Sequence, residues 1–314
     1  MVASLAGQVA VVAGATRGAG RGIARMLGEV GATVYCTGRS TAGAAPSDRP
    51  HAGRPETIDE TARLVDDAGG RGIAVRVDHT VEAEVEALFA RVLEEQGRLD
   101  LLVNVLGGPE VKDRMSPFWK IDVGDGRRLV DAWVWPHVIT CRHAAAHMMK
   151  ARRGLIVEVI EQDTIGYHGH FYWDLAMTSL KRLAYAMAEE LGSHGVSALA
   201  VAPGFMRTEA ILAHFGATPE TWQDVARTNR EARGFGFAGS ETPCFIGRAI
   251  AALAADPAVQ RKSGGVYGSW TLSEEYGFTD VDGGRPHWGR YFEQNFGGMF
   301  GKPNAPVTWK VAEV

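Results

Sequence analysis

Short apolar runs alternate along this chain with longer stretches in which apolar side chains return every three or four residues, so strands and helices are predicted to take turns. The runs at 9–13 (VAVVA), 32–36 (ATVYC), 72–77, 99–106 (LDLLVNVL), 154–160 (GLIVEVI), 196–201 (VSALAV) and 265–270 read as strands. The first, VAVVA, has no polar residue to mark a solvated face, which suits a strand covered on both sides. Ile58, Ala62 and Val65 share one face of a helix at 56–68, and Val85, Leu88, Phe89 and Val92 share one face of a helix at 81–96. A loop and then a long helix fill 115–150, another helix ends in the AMAEEL of 186–191, and a third covers 242–255. This alternation predicts an α/β fold, a doubly wound parallel sheet with helices on both faces. The stretch 41–55, rich in Pro, Gly, Ala and Ser, reads as a surface loop.

Composition narrows the picture without redirecting it. A chain of 314 residues, 46% apolar and 22% charged, is an ordinary globular protein, and no internal repeat or low-complexity tract divides it. Its net charge of −4 gives no electrostatic case for nucleic acid or an anionic membrane as partner. Cys36, Cys141 and Cys244 lie far apart and in no metal-ligand spacing, so neither a disulfide framework nor a metal site is expected. The first apolar run follows no basic segment and is too short to span a bilayer, so a cytoplasmic location is expected.

Gly14, Gly18 and Gly20 follow the first strand and allow the chain to turn sharply, bare its N–H groups and open a helix over 21–27. Such a helix start attracts a phosphate or pyrophosphate. The same glycines also suit a tight turn with no ligand, but the first strand is where a doubly wound sheet opens its nucleotide crevice. The second strand runs on into Thr37, Gly38, Arg39 and Ser40, where an acid would bond a ribose 2′-hydroxyl. There is no acid. Arg39, backed by Ser40 and by Arg17 of the glycine loop, offers planar cationic donors to a 2′-phosphate instead, which predicts NADP(H) over NAD. Arg39 alone reads equally well as a solvated surface residue. Asp78, ending the third strand, either accepts from an adenine amino group or caps the next helix. Asn104, an amide inside the fourth strand, needs partners there and so ties neighbouring strands together or braces the cofactor pocket.

Together these residues resemble the short-chain dehydrogenase/reductase family. Its TGxxxGxG signature stands as Ala13, Gly14, Gly18 and Gly20, with Thr16 and Arg17 inside the loop; NNAG stands as Asn104, Val105, Leu106 and Gly107; PGxxxT stands as Pro203, Gly204 and Thr208. The match runs from Gly7 to about Gly264. The resemblance implies a single Rossmann-like domain over 1–270, including a substrate lid at 205–240, with an extension at 271–314 packed on it. It also implies that Asp78 meets the adenine, that Arg17 and Arg39 hold the 2′-phosphate, and that Pro203, Gly204 and Thr208 meet the nicotinamide carboxamide. The lid's Phe215, Trp222, Phe235 and Phe237 either pack on the body or touch substrate. A homodimer or homotetramer through the helices near 130–150 and 173–191 is the family's habit. The tail YGFTDVDG, Tyr276 to Gly283, is similar to the subgroup related to dehydrogenase/reductase member 1.

The resemblance breaks at the catalytic residues. Counting along GLIVEVI puts Glu161 in the family's Ser slot, and the long helix offers Trp133 where the family has Asn. Fixing the register on AMAEEL puts Trp173 at the Tyr and Met177 at the Lys; sliding by one makes Tyr172 the tyrosine but leaves Ala176 at the lysine. In the family the Tyr protonates a carbonyl oxygen as hydride arrives, and a positioned acid contributes about 10²–10⁴-fold. Indole is a poor acid and a thioether has no proton to give. Candidate replacements are Glu158, Glu161, Asp163, Tyr167, His168, His170, Tyr172 and Asp174, with Glu161 first because its strand-end position aims it at the reactive face. A Glu161 desolvated against Trp173 and Met177 is expected to have a raised pKa and act as acid, or, ionised, to steady a cation. Asp174 reads as a first-turn helix acid, and His168 and His170 as residues of a flexible lip.

Two functions follow as expectations. The first is an NADP-dependent oxidoreductase acting on a small organic substrate, with an imine or iminium favoured over a ketone because hydride on C=N⁺ gives a neutral amine with no proton owed to oxygen. Glu161, Asp163, Trp173 and Tyr172 are its candidate catalytic residues. Nearby aromatic rings suit a cation, and suit core packing equally. The second is a non-redox protein on the same scaffold, a cyclase, isomerase, lyase or NADP-binding regulator whose cofactor is structural.

Overall fold

The apolar runs assemble into one sheet of seven parallel strands in the order β3-β2-β1-β4-β5-β6-β7. The computed structural model describes residues 4–42, 54–108, 116–161, 163, 167 and 170–297. The strands are β1 (Val9–Ala13), β2 (Thr33–Gly38), β3 (Arg71–Arg76), β4 (Leu101–Asn104), β5 (Gly154–Val159), β6 (Val196–Ala202) and β7 (Val266–Gly268). The helices are α1 (Gly18–Glu29), α2 (Ile58–Asp67), α3 (Glu82–Gln96), α4 (Val123–Ala151), α5 (Phe171–Leu191), α6 (Glu209–Phe215), α7 (Trp222–Thr228), α8 (Arg230–Gly234), α9 (Pro243–Ala255), α10 (Ser269–Tyr276) and α11 (Trp288–Phe296). The chain builds outward from β1 to β3 and then restarts on the other side of β1 with β4, so the strand order reverses there and a crevice opens at the carboxyl ends.

Alternation along each strand divides the core in two. Ala10, Val12, Val103 and Val157 pack with Ile23 and Leu27 of α1, Val65 of α2 and Phe245 and Ile250 of α9. Val9, Val11, Leu102 and Ile156 face the other way, onto Val85 and Leu88 of α3 and Cys141 and Met148 of α4. Because strand side chains repeat every second residue, the polar residues at or one residue before the ends of three strands, Thr37, Asn104 and Glu158, all fall on the α4 side, and all three are fully buried.

Two strand boundaries differ from the pattern. The β4 ladder stops at Asn104 and not at residue 106, because the Leu106 carbonyl accepts from His137 of α4. The last strand stops at Gly268, since Ser269 opens α10 and gives its hydroxyl to Glu241 at 2.7 Å. Helices α6, α7 and α8, in the stretch expected to form a lid, gather a small core of Phe215, Ala226, Ala232 and Phe237, while Phe235 stays exposed. Beyond β7 the extension returns to the body through Asp280, which takes the N–H of Thr242 at 2.8 Å. Residues 298–314 of the extension, 43–53 of the predicted loop, and His168 lie outside the described residues.

Candidate active site

The glycine loop has the form its spacing predicts. Gly14 and Gly18 take φ of +90° and +54°, which only glycine adopts without strain. A methyl group on Gly14 would strike the Val105 carbonyl, and one on Gly20 the Gly14 carbonyl. The Gly18 N–H donates to the Glu209 carboxylate at 3.0 Å, so this helix start already carries an anion. Thr16 abuts the end of β2, its hydroxyl 2.7 Å from where a methyl on Gly38 would sit. These features fit a dinucleotide's pyrophosphate, with the glycine loop and Thr208 as its walls; a methyl on Gly18 would lie 3.5 Å from the Thr208 side chain.

The cations at the β2 end have acidic neighbours. Arg17 lies 3.6 Å from Glu56, and its buried Nε has no hydrogen-bond partner among the described residues. Arg54, which the motif reading passed over, grips Glu56 through two bonds of 2.6 and 3.2 Å. Burial works to raise the Glu56 carboxyl, but Arg54 and Arg17 outweigh it and hold it below the usual range. Arg39 faces Asp78 instead, at 3.7 Å. Asp78 takes both the N–H and the hydroxyl of Thr80, the turn-capping arrangement, and these bonds with Arg39 hold it below the carboxylate range against its partial burial. Ser40 accepts the first N–H of α2, from Ile58, through its carbonyl.

Beneath the crevice lies a polar network that motif reading did not assemble. Glu158, in the middle of the sheet, receives Asn104 Nδ2 at 2.9 Å and Cys141 Sγ at 3.0 Å on one oxygen and meets His137 Nδ1 with the other. His137 Nε2 faces the Leu106 carbonyl at 3.0 Å. A carbonyl only accepts, so Nε2 carries a hydrogen and a second hydrogen lies between Nδ1 and Glu158. Burial pushes the Glu158 carboxyl up, but His137, Cys141 and Asn104 outweigh it and hold the group ionised. Asn104 ties β4 to β5 through its bond to Glu158, the first of the two roles expected of it. A second chain runs from Thr37 through His79 to Thr140, at 2.8 and 3.0 Å. Burial, then the neighbouring His137, drives the His79 imidazole down to about 3.

At the positions expected from the register to replace the family's Ser, Asn and Tyr, the Trp173 indole N–H donates to Glu161, and Trp133 meets the Trp173 ring edge-on with centroids 4.4 Å apart. Trp133 also lines Gly107, 3.3 Å from where a methyl there would stand. Glu161 is exposed, which corrects the expected desolvation: the carboxylate faces solvent beside the buried indole. Tyr172 turns away onto Gly126 of α4, so Trp173 is the side chain that meets Glu161. Met177 continues the Trp173 face of α5 and is buried. One further turn brings Lys181, 3% exposed, a residue the register argument stopped short of. Burial lowers the Lys181 ammonium against the attraction of Asp163, Asp174 and Glu161, and burial raises Asp163 against Lys181 and His287. Tyr167 is exposed, and His170, at φ 55°, caps α5 by accepting the Trp173 N–H at 3.2 Å.

Pro203 and Gly204 are buried at the end of β6, and Gly204 donates to Glu241 at 2.9 Å. Trp288 of α11 stands over Gly204, its Cβ 2.6 Å from where a methyl would sit. Arg207 reaches Asp282 at 2.7 Å and stacks 3.7 Å above Trp222. Among the described residues no group of His, Cys, Asp and Glu is arranged to hold a metal ion.

A parallel sheet with a glycine-loop crevice and a PGxxxT segment defines a nucleotide-dependent oxidoreductase scaffold. Residues 8–213 match the family model described as short chain dehydrogenase, and the chain belongs to the short-chain dehydrogenase/reductase family. It is 34% identical over 287 residues to Dehydrogenase/reductase SDR family member 1 of Mus musculus, covering 90% of this chain and 86% of that one. It is 32% identical over 257 residues to cis-4-hydroxycyclohexanecarboxylate dehydrogenase of Sinomonas cyclohexanicum, covering 80% and 96%. A short chain dehydrogenase structure from Mycobacterium thermoresistibile superposes with a TM-score of 0.72 at 19% identity, over 98% of this chain and 96% of that one, a likeness of fold.

Proposed function

We propose that this oxidoreductase uses NADP(H) and reduces a small imine or iminium in preference to a ketone. The observation that carries the reading is the Glu161 carboxylate held by the Trp173 indole, in the two slots where the family keeps a Ser and a Tyr. Bound NADPH supplies the hydride. Glu161, open to solvent, steadies a substrate cation, and the edge-on pair of Trp133 and Trp173 borders it with aromatic surface. Arg17, whose Nε makes no hydrogen bond among the described residues, with Arg54 and Arg39 nearby, favours a 2′-phosphate. The protein is expected to act in the cytoplasm as a homodimer or homotetramer built on α4 and α5, with the lid at 205–240 and the extension at 271–314 belonging to the same domain.

A second reading has one observation behind it. Asp163, raised by burial against the attraction of Lys181, is the group that protonates a carbonyl oxygen if the substrate is a ketone.

The test follows NADPH absorbance with paired cyclic imine and cyclic ketone substrates, cyclic because the Sinomonas relative is named for a cyclohexane ring. The wild type is expected to turn over the imine. Losing one charge-assisted contact, Glu161→Gln is expected to reduce kcat/KM for it by roughly 10- to 100-fold. Full imine activity in Glu161→Gln removes Glu161 from the chemistry, and ketone turnover that collapses in Asp163→Asn selects the second reading. Tight NADPH binding with neither substrate reduced points to a structural cofactor.

A further inference from the structure

The acid that follows the PGxxxT segment does not point into solvent. Glu209 opens α6, the first helix of the lid, one residue after Thr208, which caps that helix by accepting the Ile211 N–H at 3.3 Å. Its side chain crosses to the glycine loop, where Oε2 accepts the Gly18 N–H at 3.0 Å and Oε1 stands 3.7 Å from Arg21 Nε. Gly18 is the first residue of α1, so its N–H belongs to the set that no carbonyl of the helix can satisfy. Arg21 itself is committed to Glu60 through bonds of 3.0 and 2.6 Å, so the Glu209 carboxylate owes its place to the helix start more than to a full ion pair.

We infer that Glu209 is a latch between the substrate lid and the glycine loop, and that cofactor binding must release it. The inference rests on the reading of the glycine loop as the NADP(H) pyrophosphate site. A pyrophosphate and the Glu209 carboxylate seek the same donors, the bare N–H groups where α1 begins, and two anions cannot share them without strong repulsion. Binding of the dinucleotide therefore turns the carboxylate out. Because Glu209 is fixed at the first turn of α6, the lid start moves with it. The coupling runs both ways: a lid latched by Glu209 weakens cofactor binding, and bound cofactor leaves the lid unlatched.

The experiment measures NADPH affinity by fluorescence titration of the full chain and of Glu209→Gln and Glu209→Ala, beside hydrogen exchange at the Gly18 amide and across α6 with no nucleotide added. Removing one competing charge is expected to tighten NADPH binding by about tenfold in both variants. The Gly18 amide is expected to be slow to exchange in the wild type and much faster in Glu209→Ala, with α6 faster too. Equal or weaker NADPH binding in both variants, where the wild type binds, overturns the latch and leaves the cofactor site standing. A fast Gly18 amide in the wild type overturns it as well. Binding in Glu209→Ala where the wild type shows none supports both, and no binding in any of the three removes the cofactor reading and the latch together.

Discussion

Replacing His137 with leucine tests the buried network through the charge it leaves behind. His137 and Glu158 are both fully buried, and Glu158 takes three donors, from His137, Cys141 and Asn104. His137→Leu strands the carboxylate in the sheet without its main partner. Breaking a buried pair from one side costs about 3–5 kcal/mol, a large share of the roughly 5–15 kcal/mol that holds a domain folded. Glu158→Gln is a different perturbation. Its amide oxygen still accepts from Asn104 and Cys141 and its N–H can donate to His137 Nδ1, so the cost is about 1 kcal/mol. The double variant with Leu at both positions is expected to lose less than the sum of its two single changes, with coupling of about 2 kcal/mol or more. Urea unfolding with an unchanged slope is the assay. The pH dependence has a definite sign. Glu158 is held below its ordinary value of 4.5, so its contribution is complete above pH 4.5 and is lost as pH falls through the lowered folded value. The gap between wild type and His137→Leu should therefore narrow in acid, where the stranded carboxyl can take up a proton. A loss below about 1 kcal/mol for His137→Leu, or strict additivity in the cycle, would refute the reasoning.

Two further outcomes come from the cradle. Gly14→Ala puts a methyl against the Val105 carbonyl at a φ of +90°, and is expected to cost more than about 1 kcal/mol and to weaken NADPH binding, read by thermal unfolding and fluorescence titration. Burial pushes the Glu241 carboxyl up to about 8, so its stability contribution is present below 4.5 and is lost as pH rises toward 8, at up to about 1.4 kcal/mol per unit. Glu241→Gln should flatten that alkaline slope; an unchanged slope would place the effect elsewhere.

The layers of the fold were legible because each strand is a short apolar run, and the glycine loop because its spacing forces one turn. The network under the crevice was half legible. Glu158 interrupts GLIVEVI, and a carboxylate in a strand covered on both faces needs partners. Period-two counting from Ile156 sends it to the side of the long helix, where His137 and Cys141 stand one turn apart. Lys181 lies one turn past Met177, but periodicity reports only that it shares a face with apolar residues and says nothing of Asp163 folding back to it. The contacts of Glu209 and Glu241 depend on where separate segments meet, which no local pattern encodes. Arg17 and Arg39 were expected to act together, and the structure gives each its own acid, Glu56 and Asp78.

The segment from Gly204 to Glu209 is tied into the fold more widely than Glu161, which the register assigns to the family's Ser position. Gly204 is tied to Glu241, Arg207 to Asp282 and Trp222, and Glu209 to Gly18. Residues 204–209 are therefore linked to the glycine loop, to Glu241 and to the extension through a few contacts, so a change there disturbs several elements at once. The catalytic slots are held differently. Glu161 is exposed beyond the end of β5, and Trp173 is one side chain on a long helix whose packing rests on Ala176, Leu180 and Ala184. Exchanging the exposed Glu161 leaves the sheet and the network below it intact, whereas Trp173 and Met177 belong to the buried cluster under α5. Under the proposed function the dinucleotide site persists while a carboxylate stands opposite it, and the substrate that the site prefers carries positive charge.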